Sequence, residues 1–270
     1  MPKISQKNKT AFCIVTPSFN QAQFLEQTIK SVLDQSGDFD LHYFVADGGS
    51  TDASKKILEK YTDKLNFVSE PDAGQTNAIN KGIAYFSKLE PEYAQIIFAY
   101  INSDDYYLPD AFALVSSYFS QHKKAQWLVG DAAIVDENNK QIQSFVQIYK
   151  KVLRQLYVPQ LLSILNPIPQ PATFVRWEAI DQVGTFDESL KFTMDYDYWQ
   201  RLQQKFGRPH FLPQTLAAFR IHSSSKGGSQ FTQQFAEELA VAKRYTTNQV
   251  LLFLHKAHIF VITAIYRMIK

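Results

Sequence analysis

The sequence predicts an α/β fold in which a mostly parallel sheet is flanked by helices. Short runs of β-branched and aromatic residues alternate with longer amphipathic stretches over the first half of the chain. At 270 residues, 45% hydrophobic and 20% charged, the chain is long enough and apolar enough to bury a large core. We therefore expect one α/β domain over residues 1–225 and a helical extension over residues 226–270.

The first half contains four predicted strands separated by predicted helices. The strands are apolar runs that end in polar or turn-forming residues, and the helices repeat apolar residues every three or four positions. The predicted strands are 11–15, 41–46, 65–69 and 96–101. The predicted helices are 21–35, a segment capped by Ser50 or Thr51 that runs to about Tyr61, and 73–87.

The second half begins with a helix opened by Pro109, because proline is tolerated in the first turn. A fifth strand starts at Trp127. Residues 140–171 are interpreted as a Gln-rich polar part and a loop, since three prolines within 167–171 exclude a helix there. The remaining predicted elements are strand 173–176, helix 195–206, a strand-like run over 215–219 and two helical pieces from about Phe231.

Polar groups follow three of the four leading strands, at 16–18, 47–49 and 102–105. Ligands bind at the carboxyl ends of strands in open parallel sheets, so we expect these groups to line one rim. The adjacent carboxylates Asp104 and Asp105 are costly to place together unless a cation joins them. Mg²⁺ or Mn²⁺ suits such a site, although two solvated aspartates at the start of a loop would give the same pattern.

The second strand ends in Asp47-Gly48-Gly49. The glycines let the backbone approach a ligand, and Asp47 can accept hydrogen bonds from a base or a ribose. A plain strand-to-helix turn would look the same. The chain lacks both a Walker loop and a Gly-x-Gly-x-x-Gly fingerprint, which removes the main support for a kinase-like or dinucleotide-binding protein.

Two further carboxylates, Asp195 and Asp197, open the predicted helix near residue 195. A carboxylate at a helix N-terminus stays ionised readily and can act as a general base. The two residues point in different directions on a helix, so only one of them can face the site. Arg220 and His222 follow a strand-like run on the same side, and a His paired with Arg near an acidic rim, here His222, is a candidate for a third metal ligand or a phosphate contact.

Charge and cysteine content restrict the partners. The single Cys13 excludes an internal disulfide, and no stretch reaches the roughly 18 apolar residues that span a bilayer, so we expect a cytoplasmic protein. Residues 191–270 carry 11 Lys/Arg against 4 Asp/Glu, which would suit an anionic surface. The first 190 residues are acidic and lack aromatic-basic interleaving, which disfavours nucleic acid.

In this order the motifs resemble those of the family 2 glycosyltransferases, inverting enzymes of GT-A fold. The resemblance covers residues 12–225. The segments that carry it are Val15-Thr16-Pro17-Ser18-Phe19-Asn20, Asp47-Gly48-Gly49-Ser50-Thr51-Asp52, Glu70-Pro71-Asp72-Ala73-Gly74-Gln75, Asn102-Ser103-Asp104-Asp105, Gly184-Thr185-Phe186-Asp187-Glu188, Asp195-Tyr196-Asp197-Tyr198-Trp199 and Arg220-Ile221-His222. Many family members carry Glu where this chain has Met194.

The resemblance implies a role for each candidate residue. The nucleotide-sugar contacts would be Thr16, Pro17, Phe19 (stacked on the base), Asp47 (bonded to the base), Gln75, Asn80 and Asp104 (on the ribose or sugar). The ligands of Mn²⁺ or Mg²⁺ would be Asp105 and His222. Asp195 would be the base that deprotonates the acceptor hydroxyl.

The resemblance therefore implies transfer of a sugar from a nucleotide-sugar, preferably a UDP-sugar, to a glycan or lipid-linked acceptor during surface polysaccharide synthesis. An inactive scaffold subunit is the alternative, against which the retention of Asp105 and Asp195 argues. A sugar-1-phosphate nucleotidyltransferase would need a Gly-rich, basic loop that residues 16–20 do not provide. The apolar segment from Val250 to Ile262 would lie on the inner face of a membrane, on the catalytic domain, or on a second subunit of a homodimer.

Overall fold

The computed structural model describes residues 9–88, 93–223 and 231–269. The strands are β1 (Thr10–Ser18), β2 (Phe39–Asp47), β3 (Asn66–Ser69), β4 (Gln95–Tyr100), β5 (Tyr106–Tyr107), β6 (Trp127–Val135), β7 (Thr173–Arg176) and β8 (His210–Arg220). The helices are α1 (Ala22–Leu33), α2 (Ser54–Glu59), α3 (Gln75–Phe86), α4 (Ala111–Gln121), α5 (Ser144–Gln155), α6 (Trp177–Val183), α7 (Met194–Phe206), α8 (Phe231–Tyr245) and α9 (Gln249–Ile269). Short 3-10 turns lie at Pro159–Ser163 and Gln170–Ala172.

The strands form one eight-stranded sheet in the order β3-β2-β1-β4-β7-β6-β8-β5 within the described residues. The first four strands of that order are mutually parallel. β7 runs antiparallel to both β4 and β6, β6 is parallel to β8, and β5 is antiparallel to β8. The predicted mostly parallel sheet is thus confirmed, and the carboxyl ends of β1, β2 and β4 lie at one edge.

β1 is longer than the predicted 11–15 and continues through Pro17 to Ser18. Proline lacks an N–H and is excluded from a strand that is paired on both sides. Here the β1–β4 ladder ends at Val15, so beyond that point β1 pairs only with β2, up to the Ser18–Asp47 pair. The one-sided pairing explains why the strand passes through the proline.

Helices pack on both faces of the sheet. One core layer joins α1 and α4 to the sheet through residues such as Leu25, Ile29 and Phe112, and the other joins α3, α6, α7 and α8. The second layer is tight, since a Cβ placed on Gly82 of α3 would lie 2.3 Å from the Val15 side chain. These layers hold the ends of β1 and β4 in fixed positions.

Several elements differ from the predictions. α5 and α6 were not predicted, and the Gln-rich composition conceals a full helix over Ser144–Gln155. The prediction that Ser50 or Thr51 caps α2 is wrong: α2 begins at Ser54, and Ser50 instead bonds to Asp47 and Asn20. α4 begins at Ala111 rather than at Pro109, after Asp110 in a left-handed conformation.

The C-terminal helices α8 and α9 pack on the α/β domain. The Glu237 carboxylate accepts the backbone N–H groups of Lys191 and Phe192 at 2.8 and 3.0 Å, and His255 Nδ1 lies 3.0 Å from the Ser163 carbonyl oxygen. Among the helices in the described ranges, none is long and apolar enough to cross a membrane. The predicted domain boundary at residues 225 and 226 lies outside the described residues.

Candidate active site

The acidic turn at residues 102–105 leaves the end of β4 and contains a carboxylate that is almost fully buried. Asp105 is 1% exposed, its Oδ1 accepts the backbone N–H of Arg220 at 2.8 Å, and its Oδ2 is 3.4 Å from the Asn102 amide nitrogen. Burial raises the pKa of Asp105 well above its ordinary value, and the negative charge of Asp104 raises it further. A cation bound at this turn would offset both the burial of the ionised Asp105 and its repulsion by Asp104.

His222, far away in sequence, lies at the same turn. Its Nε2 is 3.0 Å from Asp104 Oδ2, and its ring, with a side chain 3% exposed, packs 4.8 Å from the Phe24 ring centroid. The predicted convergence of His222 with the acidic pair is therefore present. Across the described ranges, no three His, Cys, Asp or Glu side chains are grouped closely enough to form a ready-made metal cage.

Arg220, the neighbour of His222 in the sequence motif, has a structural role at the acidic turn. Its guanidinium donates to the Asp104 carbonyl at 2.7 Å and to Gln27 Oε1 at 2.8 Å, and it lies 4.5 Å from the centre of the Phe24 ring. It also donates to the carbonyls of residues 136 and 137. The residue is 1% exposed, which leaves its charge committed to holding the acidic turn against α1.

Asp47 orders the loop after β2. Its carboxylate accepts the backbone N–H and hydroxyl of Ser50 and the hydroxyl of Ser69, the last at 2.7 Å. Asn20, just after β1, accepts the N–H of Thr51 at 2.9 Å, so the loops after β1 and β2 are joined. Phe19 leaves β1 at this joint and is 61% exposed, which makes an aromatic face available there.

The other predicted donor contacts divide into two groups. Gln75, the first residue of α3, donates to Asn102 Oδ1 at 2.6 Å and so lies at the acidic turn. The Thr16 hydroxyl is instead 3.0 Å from the Tyr43 hydroxyl in the core. Asn80 is occupied by Phe186, whose N–H it accepts and to whose carbonyl it donates, and by Glu188. The side chains of Thr16 and Asn80 are therefore not brought to the rim.

Asp195 lies in the first turn of α7, within electrostatic reach of Tyr100 at the end of β4. Burial raises the pKa of the half-buried Asp195 to about 6, against the effects of the Tyr196 N–H and the Lys150 charge. Burial also raises the pKa of Tyr100, and the charges of Asp195 and Asp105 add to that rise. The Tyr100 hydroxyl is buried without a hydrogen-bond partner among the described residues.

Asp197 bonds to residues of α7 and α8 instead. Its carboxylate accepts the Arg201 Nε–H at 2.9 Å and the Tyr245 hydroxyl at 2.8 Å, and it lies 3.5 Å from Arg244 Nη1. The residue is 2% exposed and joins α7 to α8. Of the two carboxylates left open by the sequence, Asp195 is the one whose charge, like that of Asp105, acts on Tyr100.

Sequence reasoning missed three side chains near the site. Gln170 donates to the Tyr100 carbonyl at 2.7 Å. Lys150 brings a positive charge close to Asp195, and Glu238 brings a second carboxyl group. Burial raises the pKa of Glu238 to about 7, and the Asp195 charge contributes. The helical spacing of apolar residues around Lys150 could have revealed α5, whereas no local pattern marks Glu238 or Gln170.

The sequence is similar to a known protein family over the region that contains the acidic turn. The sequence profile described as "Glycosyl transferase family 2" matches residues 13–182, more than half of the chain. The chain belongs to glycosyl transferase family 2. Both the acidic turn and the loops after β1 and β2 lie inside the matched region, while α7, α8 and α9 lie beyond it.

Similar proteins carry related descriptions. An uncharacterized glycosyltransferase of Rickettsia typhi is 23% identical over 222 residues, which cover 82% of this chain and 67% of that protein. The minor teichoic acid biosynthesis protein GgaA of Bacillus subtilis is 26% identical over 212 residues, covering 72% of this chain. The matched region is only 43% of GgaA, so the activity of that whole protein does not transfer.

Two solved structures share the fold. S. aureus TarS in complex with UDP-GlcNAc aligns with a TM-score of 0.61 at 17% identity, over 90% of this chain and 69% of that one. A mannosyltransferase from Pyrobaculum calidifontis in complex with GDP-Man and Mn²⁺ gives a TM-score of 0.67 at 14% identity, over 93% and 69%. The predicted GT-A fold is thereby confirmed.

Proposed function

We propose that this family member is an inverting, metal-dependent glycosyltransferase that moves a sugar from a nucleotide-sugar to an acceptor hydroxyl. The observation that carries the proposal is the placement of the acidic turn and Asp195 around Tyr100 at the carboxyl edge of the sheet. The bound UDP-GlcNAc and GDP-Man of the two similar structures support a nucleotide-sugar donor, and we favour a UDP-sugar. We favour a glycan or lipid-linked acceptor, and the similarity to GgaA, a minor teichoic acid biosynthesis protein, supports a role in surface polysaccharide synthesis.

The donor would bind across the joined loops and the acidic turn. The exposed ring of Phe19 would stack on the base, positioned by the buried Thr16 and Pro17 that precede it in β1. Asp47 accepts three hydrogen bonds, and a carboxylate has about four lone-pair sites, so it can accept one more from the base. Asp104 and Gln75 would contact the ribose and sugar, while Asn80 acts through the loop that it holds.

The turn also suits a divalent cation. Hard cations such as Mg²⁺ and Mn²⁺ need only one or two carboxylates when phosphate oxygens complete the shell. Burial, and after it the charge of Asp104, raises the pKa of Asp105, and a bound cation would offset both effects. Asp105 and His222 would hold the ion, which when bound offsets the charge that develops on the leaving diphosphate.

Asp195 would start the reaction by accepting the proton of the acceptor hydroxyl. A pKa of about 6 leaves the carboxylate ionised at neutral pH while keeping it close to the optimum for a general base. The acceptor oxygen then forms a bond to the anomeric carbon from the face opposite the diphosphate. The bond between that carbon and the diphosphate oxygen breaks, its electron pair leaves with the diphosphate, and the configuration inverts.

Calorimetric titration with UDP, with and without Mn²⁺, tests the metal assignment. In the wild type we expect Mn²⁺ to strengthen UDP binding, and in Asp105→Asn we expect that metal-dependent gain to disappear. Asp63→Asn, which changes an exposed aspartate remote from the acidic turn, is the matched control and should behave as the wild type. Undiminished metal-dependent affinity in the Asp105 variant would reject the assignment.

A further inference from the structure

Helix α5 presents an apolar face to solvent. Phe145, Ile148, Val152 and Leu156 recur at helical spacing and are 63%, 63%, 44% and 71% exposed. The opposite face carries Arg154, which is 6% exposed and donates to Asp131 and to the Pro167 carbonyl. A surface helix ordinarily buries its apolar face, so this reversed orientation marks an interaction surface.

Helix α9 also presents large apolar side chains to solvent. Val250, Phe253, Phe260 and Val261 are 66%, 68%, 75% and 53% exposed, while the opposite side is anchored by the buried His255. Among the residues that the structure describes, fourteen large apolar side chains are exposed, and eleven of them lie within residues 138–177 and 239–270. The exposed apolar surface is therefore concentrated on α5, α9 and their immediate neighbours.

The same two stretches contain no acidic residue. All 26 Asp and Glu residues of the chain lie outside residues 138–177 and 239–270, whereas ten Lys and Arg lie within them. Lys151 of α5 has a side chain that is 46% exposed although it lies 3.4 Å from Asp131, and Lys256 of α9 is also exposed. The apolar faces thus lie in stretches whose own charges are all positive, which is the combination that binds an anionic lipid surface.

We propose that α5 and α9 together form a docking surface for a bilayer that contains anionic lipid. A second copy of this chain is the weaker candidate, because it would bring two sets of cations together without an acidic partner on either helix. The helices lie in the plane of the interface in this arrangement, with their apolar side chains among the acyl chains. The surface extends the expected contact of the C-terminal helix to α5, which belongs to the catalytic domain.

The docking surface adjoins the proposed base. Burial lowers the pKa of His258 on α9 to about 4, and the charges of His255 and Lys150 lower it further. The same Lys150 charge acts on Asp195, so Lys150 of α5 lies within electrostatic reach of both α9 and the proposed base. A bilayer on this surface would therefore present its lipid-linked sugar on the Asp195 side, an acceptor assignment that rests on the proposed function.

Flotation of the whole chain with lipid vesicles tests the surface. We expect binding to phosphatidylcholine vesicles that contain phosphatidylglycerol, weak binding to phosphatidylcholine alone, and release by added salt. Ile148→Gln and Phe253→Gln should each weaken binding by about tenfold, since each removes a large apolar side chain from the interface. Leu114→Gln changes a residue on α4 that is 38% exposed and should leave binding unchanged.

Three results would overturn the surface. The first is absence of flotation, and the second is equal binding to vesicles with and without phosphatidylglycerol. The third is a loss of vesicle binding in Leu114→Gln as large as that in Ile148→Gln and Phe253→Gln. A dimer in sedimentation experiments that the Ile148 and Phe253 variants dissociate would assign the surface to a second copy instead. UDP binding measured on the same samples separates the two proposals, because a chain that binds UDP but no vesicle retains the proposed function and loses only this surface.

Discussion

Replacing Asp195 with asparagine should abolish transfer and at the same time stabilise the fold at alkaline pH. The pKa of Asp195 rises from 3.8 to about 6 in the folded chain, so the fold favours the protonated carboxyl. The stabilising contribution of that proton is complete below about pH 4 and is lost as the pH rises through 6. The neutral amide of the variant would mimic the protonated carboxyl at every pH.

The size of the effect follows from the pKa shift. Two units correspond to about 3 kcal/mol, and because the side chain is only half-buried we expect roughly 1–2 kcal/mol after solvent screening. In urea denaturation, Asp195→Asn should therefore be more stable than the wild type at pH 8 and no different at pH 4. Calorimetry should show unchanged UDP binding, while transfer falls to background.

Asp197→Asn is the control for this experiment. It removes a carboxylate that accepts hydrogen bonds from Arg201 and Tyr245, so it should lower the free energy of unfolding by roughly 2 kcal/mol or more. A stability loss at pH 8 in the Asp195 variant, or transfer at the wild-type rate, would refute the assignment of Asp195 as a buried base.

The other predictions concern the base stack, the pH profile and the acidic turn. Phe19→Ala should weaken UDP binding by roughly five- to tenfold in calorimetry through the loss of stacking, and an unchanged affinity would remove the residue from the site. Lys150→Gln should shift the acidic limb of the rate profile to higher pH, because its charge now lowers the pKa of Asp195; a shift to lower pH would contradict this. Arg220→Met should reduce the free energy of unfolding by about 3 kcal/mol in urea, because the buried groups that accept from it lose their partner; a change near zero would contradict the structural role.

The strand ends could be predicted because their signals are local. An apolar run followed by Asp47 or by Asn102 to Asp105 identifies the end of a strand without knowledge of the rest of the chain. The parallel order of β1, β2 and β4 then places those ends at one edge. Local signals also sufficed for β7, which spans the predicted Thr173–Arg176.

Features that depend on distant contacts could not be predicted. Ser is a residue type that often caps helices, but the hydrogen bonds of Ser50 to Asp47 and Asn20 hold it in the loop before α2. Arg220 binds the backbone carbonyls of Asp104 and Asp136, and no local pattern in the sequence indicates these contacts. Glu238 reaches Asp195 only because α8 folds back onto α7, which no pattern in the sequence specifies.

A thermal-shift panel of nucleotide-sugars, with and without Mn²⁺, tests the proposed function most directly. A ligand present at about 100 times its Kd stabilises the folded state by about 2.7 kcal/mol, which for a chain of this size raises the Tm by several degrees. We predict such a rise for at least one nucleotide-sugar, a UDP-sugar first, and its loss when Mn²⁺ is removed. A Tm that no nucleotide-sugar changes, with or without the metal, would contradict the account.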